Sequence, residues 1–319
     1  MTNTNRTRFQ ATGQSPESGR LPDAPFIVGS AKPERGAVQD SQMEFVEKLV
    51  ESFRFEDARL PTLPQAVVYL ERAIRDETVS MKRLARLLGQ DPVLATRLIR
   101  VANSSYFKSV SPVESVPEAV SRIGFSASQN IALVLLSKTF TASHDLVADK
   151  VGELWSQSLR IAAMASSLSH HYPLVDANRA MLGGLLYNVG AMLLLTKIDE
   201  RVKAITHPGI LDHMIERHAA QFGLKLLQHW EMDPDLQDVV GNWNHWQREH
   251  SHAADLADLV LVARCCLSLP VGSAPDLQAC QQLPCYKRLQ QFVYRRRSLE
   301  ELVAEANESV EETLELLAA

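Results

Sequence analysis

Leu182-Gly183-Gly184-Leu185-Leu186-Tyr187-Asn188-Val189-Gly190 is the stretch whose reading decides the fold of this chain. It lies inside a segment, Met181 to Leu195, that is apolar nearly all round. A helix with no polar face belongs in the middle of a bundle rather than on its surface. Just before it, residues from about Val147 to His170 carry the periodicity of one long helix.

Outward from this centre the helix boundaries are legible. Asp91-Pro92 reads as an N-cap followed by proline at the first helical position. Ser115-Val116-Pro117-Glu118 fits a capping box, and Ser126-Ala127-Ser128-Gln129 repeats it after Gly124, a glycine stop for the preceding helix. Asp233-Pro234 and Ser298-Leu299-Glu300-Glu301 open two more helices. Apolar residues recur at three and four, as in Leu84, Leu87, Leu88 and Leu94, Leu98, Val101, while alternation of the strand kind is scarce. The expectation is an all-α protein. Residues 1–42, rich in Thr, Asn, Gln, Ser, Gly and Pro, read as a disordered leader. Residues 43–272 read as one domain with lobes of about 43–142 and 143–272, and residues 273–319 as a C-terminal helical extension. The acidic, Leu-bearing end from Val310 to Leu317 has the pattern of an amphipathic helix.

Composition narrows the function. With 319 residues, 45% of them hydrophobic, the chain can bury a sizeable core. A net charge of −5 argues against general attraction to nucleic acid or to an anionic membrane. No apolar run is expected to span a bilayer, and no secretory signal opens the chain, which makes a cytoplasmic protein the expectation. The four cysteines, Cys265, Cys266, Cys280 and Cys285, show no paired metal-ligand spacing and read as free, buried thiols.

Several motifs then fall in order: Leu60-Pro61-Thr62-Leu63-Pro64; Gln90-Asp91-Pro92 through Val101-Ala102-Asn103-Ser104; Ala119-Val120-Ser121-Arg122-Ile123-Gly124; Leu154-Trp155-Ser156-Gln157-Ser158; Gly183 to Gly190; and Gly223 to Trp230. Together, over roughly residues 55 to 265, they resemble the HDOD domain, the HD-related output domain of bacterial signalling proteins. The resemblance implies a lobe of short helices packed on an HD-like helical bundle, regulatory more often than catalytic. It also implies that the metal ligands of an HD phosphohydrolase would fall at Gln157, Tyr187 and Asn188. There a neutral amide, a phenol of ordinary pKa about 10 and a second amide replace imidazole and carboxylate. The expectation is therefore no enzyme, no cofactor and no metal, with other signalling proteins as partners.

Alternatives sit beside that reading. His245, His250 and His252, with Glu249 and Asp255, offer relocated ligands for a metal-dependent phosphohydrolase or phosphodiesterase; the spacing of His245 and His250 puts them on different helical faces, and satisfied histidines are the plainer reading. A third possibility is a nucleotide-binding switch without catalysis. Lys82, Arg83, Arg86, Arg97 and Arg100 on two helices joined through Gly89-Gln90-Asp91-Pro92 imitate a helix-turn-helix, but a solvated face explains them as well. Asn103 and Ser104 suit a junction between lobes, and Trp243 and Trp246, three apart, either line or fill the cleft of the lost site.

Overall fold

The computed structural model describes residues 80–104, 111–124, 140–172, 174–199, 208–267 and 277–293, with isolated positions elsewhere. All regular structure among them is helical: α1 (Met81–Leu88), α2 (Pro92–Ala102), α3 (Val116–Ile123), α4 (Asp145–Ser169), α5 (Ala177–Leu186), α6 (Val189–Ile198), α7 (Pro208–His229), α8 (Pro234–Gly241), α9 (Leu256–Cys266), α10 (Leu277–Cys280) and α11 (Pro284–Val293). The all-α expectation holds. The leader, the box at Ser126, the start at Ser298 and the Val310–Leu317 segment lie outside the described residues.

The caps work largely as their chemistry dictates. Leu94 N donates to Asp91 Oδ1 at 3.1 Å, and Glu118 N to Ser115 Oγ at 3.4 Å. The return arm of that second box differs from expectation, because Glu118 Oε2 accepts from Glu114 N rather than from Ser115 N. Gly124 ends α3 at φ 87°, a conformation that favours glycine. Asp233 opens α8 ahead of its proline without a side-chain cap bond; its carboxylate instead accepts from Arg179 Nη2 at 2.7 Å.

The core is built on α4, which packs against α5, with α9 lying across both and α6 paired with α7. Glycines set the closeness of two of these contacts. A Cβ on Gly184 would meet the backbone of Ala162 in α4, and one on Gly190 would land on the Ala219 carbonyl and the Gly223 backbone in α7. The N-terminal motif docks on the same frame, since Trp230 Nε1 donates to the Pro61 carbonyl at 2.7 Å and the Trp230 ring lies 6.5 Å from that of Phe140.

Three expectations are corrected. The Met181–Leu195 segment is two helices, not one. Asn188 leaves helical geometry (φ −114°, ψ 16°), and its side chain bonds to α4 instead, so α5 ends and α6 begins around it. The run Ala177–Ile198 is in fact long and apolar enough to cross a bilayer by length and composition; it is broken at Tyr187-Asn188, and 89% of its apolar window is buried inside the protein. Lastly, Cys265 and Cys280 form a disulfide, which leaves Cys266 and Cys285 as the free thiols, the former only half-buried. Helices α9 and α10 bring the two Cα atoms to 6.0 Å, within bridging distance. Helix packing sets that approach, so the sequence spacing carried no sign of it.

Candidate functional site

Gln157, on α4, and Tyr187 and Asn188, at the α5–α6 break, are brought together and buried. Asn188 is fully engaged: Ser158 Oγ donates to its Oδ1 at 2.7 Å, and its Nδ2 donates to the Leu154 carbonyl at 3.1 Å. Gln157 Oε1 faces the Tyr187 hydroxyl at 3.4 Å, while Gln157 Nε2 donates to Glu153 Oε1 at 3.1 Å. Burial outweighs the neighbouring positive charge and pushes the Tyr187 phenol above its ordinary pKa, so it is neutral at pH 7.

A residue not singled out in the sequence completes the group. Arg264, on α9, is 2% exposed, and its guanidinium carbon lies 5.1 Å from the ring centre of Tyr187, 5.1 Å from that of Trp243 and 4.6 Å from that of Trp246. Its Nη1 donates to the Trp243 carbonyl. Three aromatic faces around a cation make a cage of the kind that holds guanidinium and ammonium groups. Burial brings the Arg264 pKa down to about 10, which leaves it protonated at neutral pH. The only earlier signal was a cationic side chain near the end of an otherwise apolar run, Leu259 to Cys265.

This arrangement does not fit a divalent metal. Such an ion needs imidazole or carboxylate donors with free lone pairs. Asn188 has spent its oxygen on Ser158, Tyr187 is a neutral phenol, and a fixed positive charge already sits beside them. Trp243 and Trp246 therefore fill rather than line the space, although residues 243–246 form turns and not the shared helical face expected of them.

The remaining candidates separate. His245 is exposed, and among the described residues its ring meets Asn242 Oδ1, at 3.2 Å, rather than the caged arginine. Asn103 exchanges two hydrogen bonds with Val113, at 2.9 and 2.8 Å, and Arg122 Nη2 donates to the nearby Ser111 carbonyl. That joins the end of α2 to the strap before α3, a junction inside the expected N-terminal lobe rather than between lobes. Ser104 Oγ is buried beside it without a hydrogen-bond partner among the described residues.

His250 and His252 lie in a loop, not on a helix, so the helical-face argument applied to His250 fails; they do approach Asp255 to within 4.8 Å. Their rings stack at 3.7 Å with 22° between planes. In-plane lone pairs of near-parallel rings cannot converge on one ion. Arg248 also stands against the set, donating to Asp255 Oδ2 at 2.6 Å and lying 2.9 Å from His250 Nε2. The group belongs instead to a larger cluster, unseen in the sequence. Fully buried Asp258 joins Arg248 at 3.1 Å, His250 at 2.9 Å and Arg288 of α11 at 2.8 Å. Burial pushes the Asp258 carboxyl up, but Arg288, then Arg248 and His250, more than offset it and hold it below the usual carboxylate range. Next to the cluster a cleft of about 780 Å³ opens between Leu174, Arg179, Asp235, His252 and Leu256.

The HDOD domain family matches residues 60–246, a span that stops short of Arg264 and of α9 to α11. An HDOD domain protein of unknown function from Geobacter sulfurreducens has TM-score 0.61 at 20% identity, over 86% of this chain and 96% of that one. A Shewanella amazonensis protein provisionally assigned as a metal-dependent phosphohydrolase has TM-score 0.63 at 22% identity, over 87% of this chain and 99% of its own. An uncharacterised protein of Treponema pallidum is 24% identical over 245 residues, 72% of this chain and 46% of its own length; the chain thus spans about half of that curated relative. At such identities the two solved structures establish the fold alone.

Proposed function

We propose that this chain, which belongs to the HDOD domain family, is a non-catalytic signal-transduction module of the bacterial cytoplasm, acting through contacts with other signalling proteins. One observation carries the reading: Tyr187, at one of the HD positions, packs its ring on the protein's own buried cation, while Asn188 beside it is engaged by Ser158 and Leu154. Hydrolysis of a phosphoester by HD chemistry needs a metal to turn bound water into hydroxide near neutral pH. Here Arg264 supplies the positive charge, but a guanidinium has no open coordination position and cannot acidify water in that way. What remains is a rigid, densely packed helical frame, suited to presenting a surface. The signalling role itself rests on the family, whose members include regulatory output domains.

The test is enzymology on the full chain. Purified protein with Mn²⁺ or Mg²⁺ and a panel of cyclic and linear nucleotides is expected to give hydrolysis no faster than buffer. Robust metal-dependent turnover would overturn the reading. The rival with relocated ligands predicts turnover that a His245→Ala, His252→Ala double variant abolishes while remaining folded.

A further inference from the structure

The four cysteines occupy chemically different places. Cys265, in the last turn of α9, is bonded to Cys280 at the end of α10, and both are almost wholly buried. Cys266, adjacent to the bridge, is a half-buried free thiol. Cys285 is buried, and that burial, aided by the negative charge of Asp258, pushes its thiol up to about 12. At neutral pH Cys285 is therefore inert, and thiol chemistry in this region falls to the bridge and Cys266.

The segments on either side of the bridge are anchored unequally. Helix α9 is buried along nearly all of its length. Helix α11 is pinned by Arg288, whose Nε donates to Asp258 Oδ2 at 2.9 Å and whose Nη2 donates to the Arg248 carbonyl at 2.9 Å, with Tyr286 and Leu289 buried beneath. Between them α10 has four residues, too few for a helix to persist on its own hydrogen bonds. A covalent bond to the end of α9 supplies what its length cannot. None of these three helices falls within the matched residues 60–246, so the bridge lies outside the family match.

We infer that Cys265–Cys280 is a redox-set clamp on α10: oxidised, it holds α10 against the end of α9; reduced, α10 opens while α9 and α11 stay in place. The reductant is a dithiol. Its thiolate attacks the Sγ of Cys280 during a local opening and displaces the Cys265 thiolate, giving a mixed disulfide. The second thiol of the dithiol then displaces Cys280, leaving the dithiol oxidised to its own disulfide, and both protein thiolates take up protons. In a reducing cytoplasm the bridge works against the ambient poise, as a regulatory bond does rather than a structural one. The regulatory role rests on the cytoplasmic part of the proposed function, whereas the clamp itself rests on the bridge and on the unequal anchoring of the helices around it.

The test uses the full chain purified without reductant, mapped by iodoacetamide labelling and by hydrogen exchange, before and after dithiothreitol. Before reduction, Cys266 labels while Cys265 and Cys280 stay unlabelled in one disulfide-linked peptide pair. After reduction, Cys280 labels and exchange over residues 277–283 rises by about tenfold or more, Cys285 stays unlabelled, and α11 keeps its protection. The melting temperature falls by roughly 5–10 °C. Cys280→Ser, which cannot form the bridge, reproduces the reduced pattern without dithiothreitol. Labelling of both Cys265 and Cys280 in the unreduced folded protein would overturn the clamp. So would unchanged exchange over 277–283 on reduction, or loss of protection in α11 together with α10, which would make the bridge a global staple.

Discussion

Arg264 holds a positive charge deep inside the protein, among aromatic rings. A buried guanidinium is costly to desolvate, and three π faces and a carbonyl are what it receives in return. Replacing a buried charge by an apolar side chain of like volume is often neutral or stabilising, whereas emptying the space is not. Arg264→Met is accordingly expected to stay within about 1 kcal/mol of the parent in urea unfolding, and Arg264→Ala to lose about 3 kcal/mol. Equal, severe losses in both would mean that the cation itself, and not its volume, holds the core. Gln157, Tyr187 and Asn188 were legible in the sequence because they fall on a motif whose frame is intact. Arg264 was not, because nothing in its own neighbourhood says that α9 turns its last residues toward the α5–α6 break. Such proximity is a property of packing.

Among the elements, the break between α5 and α6 and the cluster on α9 govern stability. The α6–α7 contact depends on Gly190, where an added methyl would strike the backbone of α7 on a face with no flexible side chain to yield. Gly190→Ala should lose about 3 kcal/mol in denaturant unfolding, while an alanine at Gly152, which meets open space, should cost nothing of the kind. A second prediction concerns pH. The Asp258 carboxyl is held below its unfolded pKa, so its contribution is fully present above the ordinary carboxylate range of about 4. It is lost as pH falls through the lower folded value. Urea midpoints measured from pH 6 down to pH 3 should decline, and Asp258→Asn should flatten that decline while lowering stability at pH 7. A variant that declines as steeply as the parent would assign the acid sensitivity elsewhere. The helix starts at Asp91 and Ser115 were readable because caps are local chemistry, and the one at Asp233 because a proline follows at the first helical position. The break at Asn188 was not, because it comes from side-chain bonds to α4, 30 and 34 residues away.

For the whole molecule, the HDOD frame was visible from ordered motifs between Leu60 and Trp230, and the helical architecture follows it. What lay hidden is the way residues beyond 246 are bolted on. The Asp258–Arg288 pair joins positions 30 apart and the Cys265–Cys280 bridge positions 15 apart, neither with a spacing that marks it. Both attachments meet α9, the helix that also carries Arg264, so the extension and the buried group around Tyr187 share one support. On the proposed reading, the buried group around Tyr187 holds a guanidinium and binds no metal. Elemental analysis for transition metals, on untagged protein purified without chelators, tests it most directly. The account predicts metal far below one equivalent per chain, unchanged after incubation with excess Mn²⁺ and desalting. A stoichiometric metal that survives desalting, and that is lost in Tyr187→Phe or Asn188→Ala, would contradict it.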